Sequence, residues 1–201
     1  MKVVLFCGGQ GLRIRDYSEA IPKPMVPIGQ HAILWHIMKY YAHFGHKDFI
    51  LCLGWKGSVI REYFLNHNEC LTNDFKLCTG LKKVELLNHE DDDWTITFVD
   101  TGQNSNIGQR LKAVEKYLEG EEMFLANYSD VLTDVNLPDL VEFARRQQAT
   151  ATFLCVQQQQ CGRDTGAIEQ PCRQGDNSLD PTLTEQVLTH GRELAGPPGV
   201  D

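Results

Sequence analysis

The chain has 201 residues, which corresponds to about one domain on the usual range of roughly 100–200 residues. Hydrophobic residues make up 42% and charged residues 23%, an ordinary composition for a globular protein. The formal net charge of -8 excludes a general binder of nucleic acid or of anionic membranes, because such binders need a basic face.

Two further features bear on the cellular compartment. The longest uncharged apolar run near the start is Val3–Cys7, which is too short for a signal sequence or a membrane span. The seven cysteines are odd in number and form no C-x-x-C pair, so we interpret them as reduced thiols. Together these features predict a soluble protein of the cytoplasm.

Strands and helices are predicted to alternate along the chain. The apolar run at 2–7 is typical of a strand buried on both faces of a parallel sheet. Three prolines within 22–27 exclude a helix there. The periodicity then predicts helices at 32–44, 57–66, 108–118 and 138–148, and strands at 48–53, 82–87, 94–99, 123–128 and 149–156. The strands at 82–87 and 94–99 are joined around an acidic turn. This alternation predicts a parallel α/β sheet with helices on both faces.

The last part of the chain, residues 156–201, differs in composition. It contains no aromatic residue and no lysine, and it opens with the tract Gln157–Gln160. A segment with so few large apolar side chains cannot offset the entropy lost on ordering by burying surface. We therefore expect an ordered domain at 1–155 and a low-complexity, disordered tail at 156–201.

Ligands of such sheets bind beyond the carboxyl ends of the strands. The first loop at that edge opens with Gly8-Gly9-Gln10-Gly11-Leu12-Arg13. Glycines let backbone amides approach a phosphate, and an arginine adds a fork of donors. The segment lacks the spacing of a Rossmann G-x-G-x-x-G motif, and the chain has no Walker A Gly-Lys-Ser/Thr. Taken alone, the segment also fits a structural turn.

The next segment, 22–29, reads Pro-Lys-Pro-Met-Val-Pro-Ile-Gly. Its prolines fix the backbone around Lys23, and a rigidly presented lysine beside such a turn is a suitable point charge for a polyphosphate. These two motifs, with Ile-Leu-Trp-His-Ile-Met at 33–38 and the strings at 99–112 and 124–130, resemble the sugar-nucleotide pyrophosphorylases, a family of nucleotidyltransferases. Within that family the similarity is greatest to the glucose-1-phosphate cytidylyltransferases, over residues 1 to about 153.

The resemblance implies a Rossmann-like, three-layer α/β/α fold with a mostly parallel sheet, of the nucleotide-diphospho-sugar transferase type. It implies nucleotidyl transfer from a nucleoside triphosphate (CTP in this subfamily) to a sugar 1-phosphate (glucose 1-phosphate in this subfamily). The sugar phosphate oxygen attacks the α-phosphorus directly and pyrophosphate leaves. Catalysis then rests on alignment and charge neutralisation, with Mg²⁺ as the cofactor.

The resemblance also assigns roles to individual residues. Arg13 and Lys23 stabilise the departing pyrophosphate and Asp130 binds Mg²⁺, so these three form the expected catalytic set. The expected nucleotide site consists of Gly8, Gly9, Gln10, Gly11, Leu12, Arg13, Lys23, Ser105, Arg110 and Ser129.

Other interpretations stay open at this point. Without the resemblance, Asp130 could cap a helix at 132–148, and Arg110 could be a solvated helix residue. The family's second half, which carries the sugar pocket, has no match after 156. The alternative function is therefore a nucleotide-binding remnant or a regulatory pseudoenzyme. The sequence does not determine whether the chain forms a homo-oligomer.

Overall fold

The structure is a computed structural model and describes residues 1–9, 21–68, 70, 72–87, 93–148, 150–154 and 186–190. Ten strands are present among these residues: β1 (Val3–Phe6), β2 (Pro27–Ile28), β3 (His31–Ala32), β4 (Asp48–Leu53), β5 (Phe75–Cys78), β6 (Lys83–Leu86), β7 (Thr95–Asp100), β8 (Met123–Tyr128), β9 (Ala151–Leu154) and β10 (Gln186–His190). The described helices are α1 (Ile33–His43), α2 (Gly57–Leu65), α3 (Ile107–Val114) and α4 (Leu137–Gln147).

The central sheet has six strands in the order β7-β4-β1-β8-β10-β9. The first four in that order run parallel to one another, with Leu5 of β1 opposite Leu51 of β4 and Asn127 of β8. β10 is antiparallel to both of its neighbours. The prediction of a mostly parallel α/β sheet is therefore confirmed.

Helices cover the sheet on both faces. Alternate residues of β1 point to opposite sides, so Val3 and Leu5 join one apolar cluster while Val4 and Phe6 join the other. The first cluster packs against α1, α2 and α4, and the second packs against α3 and the residues that follow it. The arrangement is the three-layer α/β/α architecture expected from the sequence.

Two strands that follow each other along the chain belong to different sheets. The strands predicted at 82–87 and 94–99 exist as β6 and β7, but they lie in different sheets. β7 pairs in parallel with β4, which places Ile96 and Phe98 against the core. β6 instead pairs with β5, a strand of only four residues that the periodicity did not reveal.

The expected disordered tail also differs from the structure at one place. Gln186–His190 form β10, which pairs with β8 on one side and β9 on the other. The prediction considered only the burial of large side chains, whereas a strand between two neighbours also gains backbone hydrogen bonds along both edges. The remaining residues beyond 154 lie outside the described part of the chain.

In the part of the chain that the structure describes, every helix is too short or too polar to cross a lipid bilayer.

Candidate functional site

The predicted site residues that the structure describes lie at the carboxyl edge of the parallel strands. Gly8 and Gly9 follow β1, Ser105 and Arg110 follow β7, and Ser129 and Asp130 follow β8 directly. Four further predicted residues lie outside the described part of the chain, and these are Gln10, Gly11, Leu12 and Arg13.

Arg110 joins the ends of three neighbouring strands. Its guanidinium donates hydrogen bonds to the carbonyl oxygens of Gly8 after β1 (3.1 Å) and Leu53 of β4 (3.2 Å), and to the hydroxyl of Thr101 after β7 (2.6 Å). The side chain is only 5% exposed. The alternative interpretation of Arg110 as a solvated helix residue is therefore wrong.

Glycines make room for this guanidinium. A Cβ added to Gly8 would overlap the guanidinium of Arg110, and a Cβ added to Gly54 would lie 2.8 Å from the carbonyl oxygen of Gly8. Both distances are too short for a real side chain. The first two glycines of the loop thus have different surroundings, because a Cβ on Gly9 would meet open space.

Thr101 is a site residue to which the sequence analysis gave no role. Its hydroxyl donates to the carbonyl oxygen of Leu53 (2.7 Å) and accepts from Arg110. Ser105, half-buried in the same loop, donates its hydroxyl hydrogen to the Thr101 carbonyl. A hydroxyl residue just after the strand predicted at 94–99, at the edge where ligands bind, is the sequence signal that could have identified Thr101.

Lys23 and Asp130 come together across the site. Their Nζ and Oδ2 atoms are 3.4 Å apart, and both side chains are about one-third exposed. Lys23 opens a single 3₁₀ turn, Lys23–Met25, in which Pro24 is buried. The prolines fix the backbone direction here, so the lysine is held toward the carboxyl end of β8.

The other interpretation of Asp130, as a helix cap, is also wrong. The following helix, α4, begins at Leu137, and its N-cap is Asn136. Asp130 therefore lies well before that helix, and its described side-chain partner is Lys23.

Ser129 and Cys7 are buried next to Asp130. The Ser129 hydroxyl donates to the carbonyl oxygen of Phe6 (2.8 Å) and is almost fully buried, so it ties β8 to β1. Burial raises the pKa of the Cys7 thiol, while a hydrogen bond with Ser129 lowers it less. Burial likewise raises the pKa of Cys52 to about 12. Both thiols stay protonated near neutral pH, which excludes them as nucleophiles.

Asp130 provides the carboxylate expected for Mg²⁺. Among the described residues, no group of three or more His, Cys, Asp or Glu side chains could hold a metal ion by itself. Mg²⁺ is usually held by one or two carboxylates together with substrate phosphates, so a single aspartate that is about one-third exposed fits its chemistry at a phosphate site. The fit depends on a bound polyphosphate to supply the remaining oxygen ligands.

Comparison with known proteins identifies the family. A family model described as Nucleotidyl transferase matches residues 2–171. The chain belongs to the nucleotidyl transferase family. The match covers every site residue discussed above, so the whole candidate site lies within the matched family domain.

Relatives within this family differ in their stated substrates. The chain is 40% identical over 157 residues to a glucose-1-phosphate cytidylyltransferase of Salmonella typhimurium, covering 76% of this chain and 61% of that protein. It is 27% identical to a mannose-1-phosphate guanyltransferase of Yarrowia lipolytica, covering 96% of this chain and 47% of that protein. The chain thus spans about three-fifths of the length of the glucose-1-phosphate cytidylyltransferase and about half that of the guanyltransferase.

A solved structure shares the fold of this family member. HddC from Yersinia pseudotuberculosis, complexed with GMP-PN, superposes with a TM-score of 0.58 and 18% identity, covering 94% of this chain and 76% of that one. At this identity the likeness establishes the fold alone.

Proposed function

We propose that this chain transfers a nucleotidyl group from CTP to glucose 1-phosphate, giving CDP-glucose and pyrophosphate. The observation that carries the proposal is the Lys23–Asp130 pair, which lies at the carboxyl edge of the sheet beside the glycine turn. Membership of the nucleotidyl transferase family and the 40% identity to a glucose-1-phosphate cytidylyltransferase support the reaction class and the substrates.

The reaction forms a bond between the sugar phosphate oxygen and the α-phosphorus and breaks the bond from the α-phosphorus to the departing pyrophosphate. Gly8 and Gly9 would present their backbone amides to the triphosphate. A Cβ added to Gly9 would meet open space, so no side chain crowds the backbone there. Lys23 neutralises charge on the leaving pyrophosphate, and Asp130 is the residue that would hold Mg²⁺. When bound, the ion would neutralise phosphate charge and orient the triphosphate.

The ion pair prepares the site for these ligands. Without substrate, Lys23 and Asp130 are each other's partner at 3.4 Å. A triphosphate offers the ammonium a stronger anionic partner, and the accompanying cation does the same for the carboxylate. Binding of the nucleotide and its cation would therefore replace the partly exposed Lys23–Asp130 pair with two stronger interactions, one between Lys23 and phosphate and one between Asp130 and the cation.

Arg110 and Arg13 complete the proposed nucleotide site. Arg110 holds the Gly8 carbonyl from below, and its buried positive charge favours an anion above the turn. Ser105 and Ser129 support the neighbouring loops through their hydroxyls. Arg13 keeps the role that the resemblance implies, at the pyrophosphate.

The cytoplasm is the compartment that we propose for this reaction. The described cysteines at 7, 52, 70 and 78 are free thiols, which fits a reducing environment.

A pyrophosphate-release assay with purified chain, CTP, Mg²⁺ and glucose 1-phosphate tests the proposal. We expect release with CTP and less with UTP or dTTP. Lys23→Met and Asp130→Asn should each lower the rate by about a hundredfold, as loss of one charge-stabilising group typically does. Lys47→Met is the matched control, because Lys47 forms an exposed ion pair with Asp93 near the amino ends of β4 and β7.

Calorimetry with CTP distinguishes the enzyme from the alternative function, a nucleotide-binding remnant or regulatory pseudoenzyme. Binding of CTP without any release of pyrophosphate would support the nucleotide-binding remnant and contradict the enzyme. Failure to bind any of the three nucleotides would overturn both. Equal rates with all three nucleotides would contradict the choice of CTP alone.

A further inference from the structure

The hairpin β5–β6 exposes several large apolar side chains outside the candidate site. Among the described strands, β5 and β6 pair only with each other. Phe75, Leu77 and Val84 are 42%, 53% and 44% exposed, although all three are large apolar residues. A two-stranded hairpin with an exposed apolar surface is marginally stable in water, so this element points to a partner.

The two faces of the hairpin differ in chemistry. On one face Phe75 lies opposite Leu86, and Leu77 lies opposite Val84. On the other face the opposed residues include Lys76 and Glu85. The hairpin is therefore amphipathic.

One edge of β6 is open along its backbone. The Leu87 amide donates to the Asp74 carbonyl (2.8 Å), which makes this a hydrogen-bonded pair across the hairpin. In antiparallel strands the bonded residues alternate, so the amides and carbonyls of Val84 and Leu86 point away from β5. These outward groups can bond a further antiparallel strand.

The charges of β6 complement a second β6. If two antiparallel copies of the strand are centred on Val84, Lys83 of each copy lies opposite Glu85 of the other. Opposite charges directly across an antiparallel pair are stabilising. Within the described part of the chain, neither Lys83 nor Glu85 forms an ion pair, so both charges are available.

The same register keeps the apolar residues on one face. A two-fold axis through the Val84 pair, perpendicular to the sheet, preserves the faces of both hairpins. β5 is less suitable for this pairing because its charged strand residue, Lys76, has no acidic counterpart within the strand.

We propose that two copies of this chain associate through β6 and form a four-stranded antiparallel sheet centred on Val84. The pairing bonds the outward backbone groups of each β6, sets two Lys83–Glu85 pairs across the axis, and joins the two apolar faces. We assign a second copy of the chain as the partner because a two-fold symmetric contact needs a strand that is complementary to itself. β6 meets this requirement, since its Lys83 and Glu85 lie opposite each other in the antiparallel pairing.

Sedimentation of the full chain over a series of concentrations tests the association. We expect a monomer–dimer equilibrium in the wild type. Val84→Pro removes the outward amide without removing a bond of the hairpin and should weaken the dimer at least tenfold. Glu121→Gln, a surface change away from the hairpin, should leave the equilibrium unchanged. A monomeric wild type, or a Val84→Pro variant that dimerises normally, overturns the proposal.

Charge reversal tests the register. Lys83→Glu alone and Glu85→Lys alone each place like charges across the axis twice, and both should be monomeric where the wild type is dimeric. An equimolar mixture of the two variants restores both opposite-charge pairs and should form a heterodimer. Two variants that dimerise as well as the wild type, or a mixture that stays monomeric, contradict this register. None of these results depends on nucleotide transfer.

Discussion

Arg110 shows how one side chain can shape a binding edge at the residue scale. Its described hydrogen-bond partners are neutral oxygens at the ends of β1, β4 and β7. A buried guanidinium whose described partners are all neutral adds a positive field next to Gly8. The same residue therefore fixes the backbone and favours an anion above it.

The two glycines after β1 provide a matched pair of substitutions. Gly8→Ala places a Cβ in the Arg110 guanidinium, so we expect the free energy of unfolding to fall by about 1–3 kcal/mol. Gly9→Ala meets open space and should change it by less than about 0.5 kcal/mol. Urea unfolding measures both. Equal effects of the two changes would contradict the close packing of Gly8.

His46 gives the stability a pH dependence. Burial lowers the pKa of His46 from its ordinary value of 6.5, and the N-terminal amine, 3.5 Å from Nδ1, lowers it further. At mildly acidic pH, His46 therefore binds a proton more readily in the unfolded chain than in the folded chain. The free energy of unfolding should fall as pH decreases from about 6.5 through the lower pKa of the folded state.

His46→Gln should flatten this part of the pH profile, measured as urea midpoints between neutral and mildly acidic pH. His43→Gln, an exposed change at the end of α1, is the control and should retain the slope. An unchanged slope in His46→Gln would assign the dependence to other groups.

The candidate site could be predicted only in part from the sequence. Lys23 was predictable because its flanking prolines fix it locally, and Asp130 because it follows a continuous apolar strand. The contact of Arg110 with Gly8 was not predictable, since the residues are far apart in sequence and the helix around Arg110 is polar. Only the order of the strands brings these two residues together.

Helix α3 illustrates the contribution of a whole element. Asn106 accepts a hydrogen bond from the Gln109 amide (2.8 Å), and the Gln109 side chain accepts from the Asn106 amide (2.9 Å). This reciprocal capping box fixes the first turn of the helix. The turn places Arg110 against the carbonyl oxygen of Gly8, so the cap helps to orient the site through α3.

Removal of this cap should have a measurable cost. Asn106→Ala should lower the free energy of unfolding by about 1 kcal/mol, because the amides of the first turn lose their acceptor. Asn106→Ser keeps an acceptor and should lose much less. Thermal or urea unfolding distinguishes the two variants. Indistinguishable stabilities would mean that the box contributes nothing to the helix.

The elements themselves were predictable where the sequence pattern is strong. β1, β4 and β8 are nearly continuous apolar runs, because both of their faces are covered by helices. β5 and β6 were harder to place because they are short and exposed on both faces, so burial does not specify their partner.

At the scale of the whole molecule, β10 changes the boundary expected at 155. The central sheet includes residues from both ends of the chain, because Val187 pairs with Ala126 and with Phe153. Among the described strands, β9 pairs with β10 alone. The chain beyond 155 therefore contributes to the sheet on which the site stands.

Hydrogen exchange of the intact chain tests this placement. Amides of β10 lie between two strands and should exchange at least tenfold more slowly than the amides of Phe75 and Leu77, which point away from β6 at the other edge of the hairpin. A deletion of residues 186–201 should also speed exchange in β9, which loses its neighbour. Exchange of the β10 amides as fast as that of Phe75 and Leu77 would place the strand outside the sheet.

The position of β10 has a consequence for synthesis on the ribosome. β1, β4, β7 and β8 can pair as soon as residue 128 has emerged, whereas β9 must wait until residue 190 has followed it. During that interval the open edge of β8 is a template for wrong partners, and nascent domains are prone to aggregate through such edges. The carboxyl edge of the parallel strands can thus form early, while β9 joins the sheet only after residues 186–190 have been made.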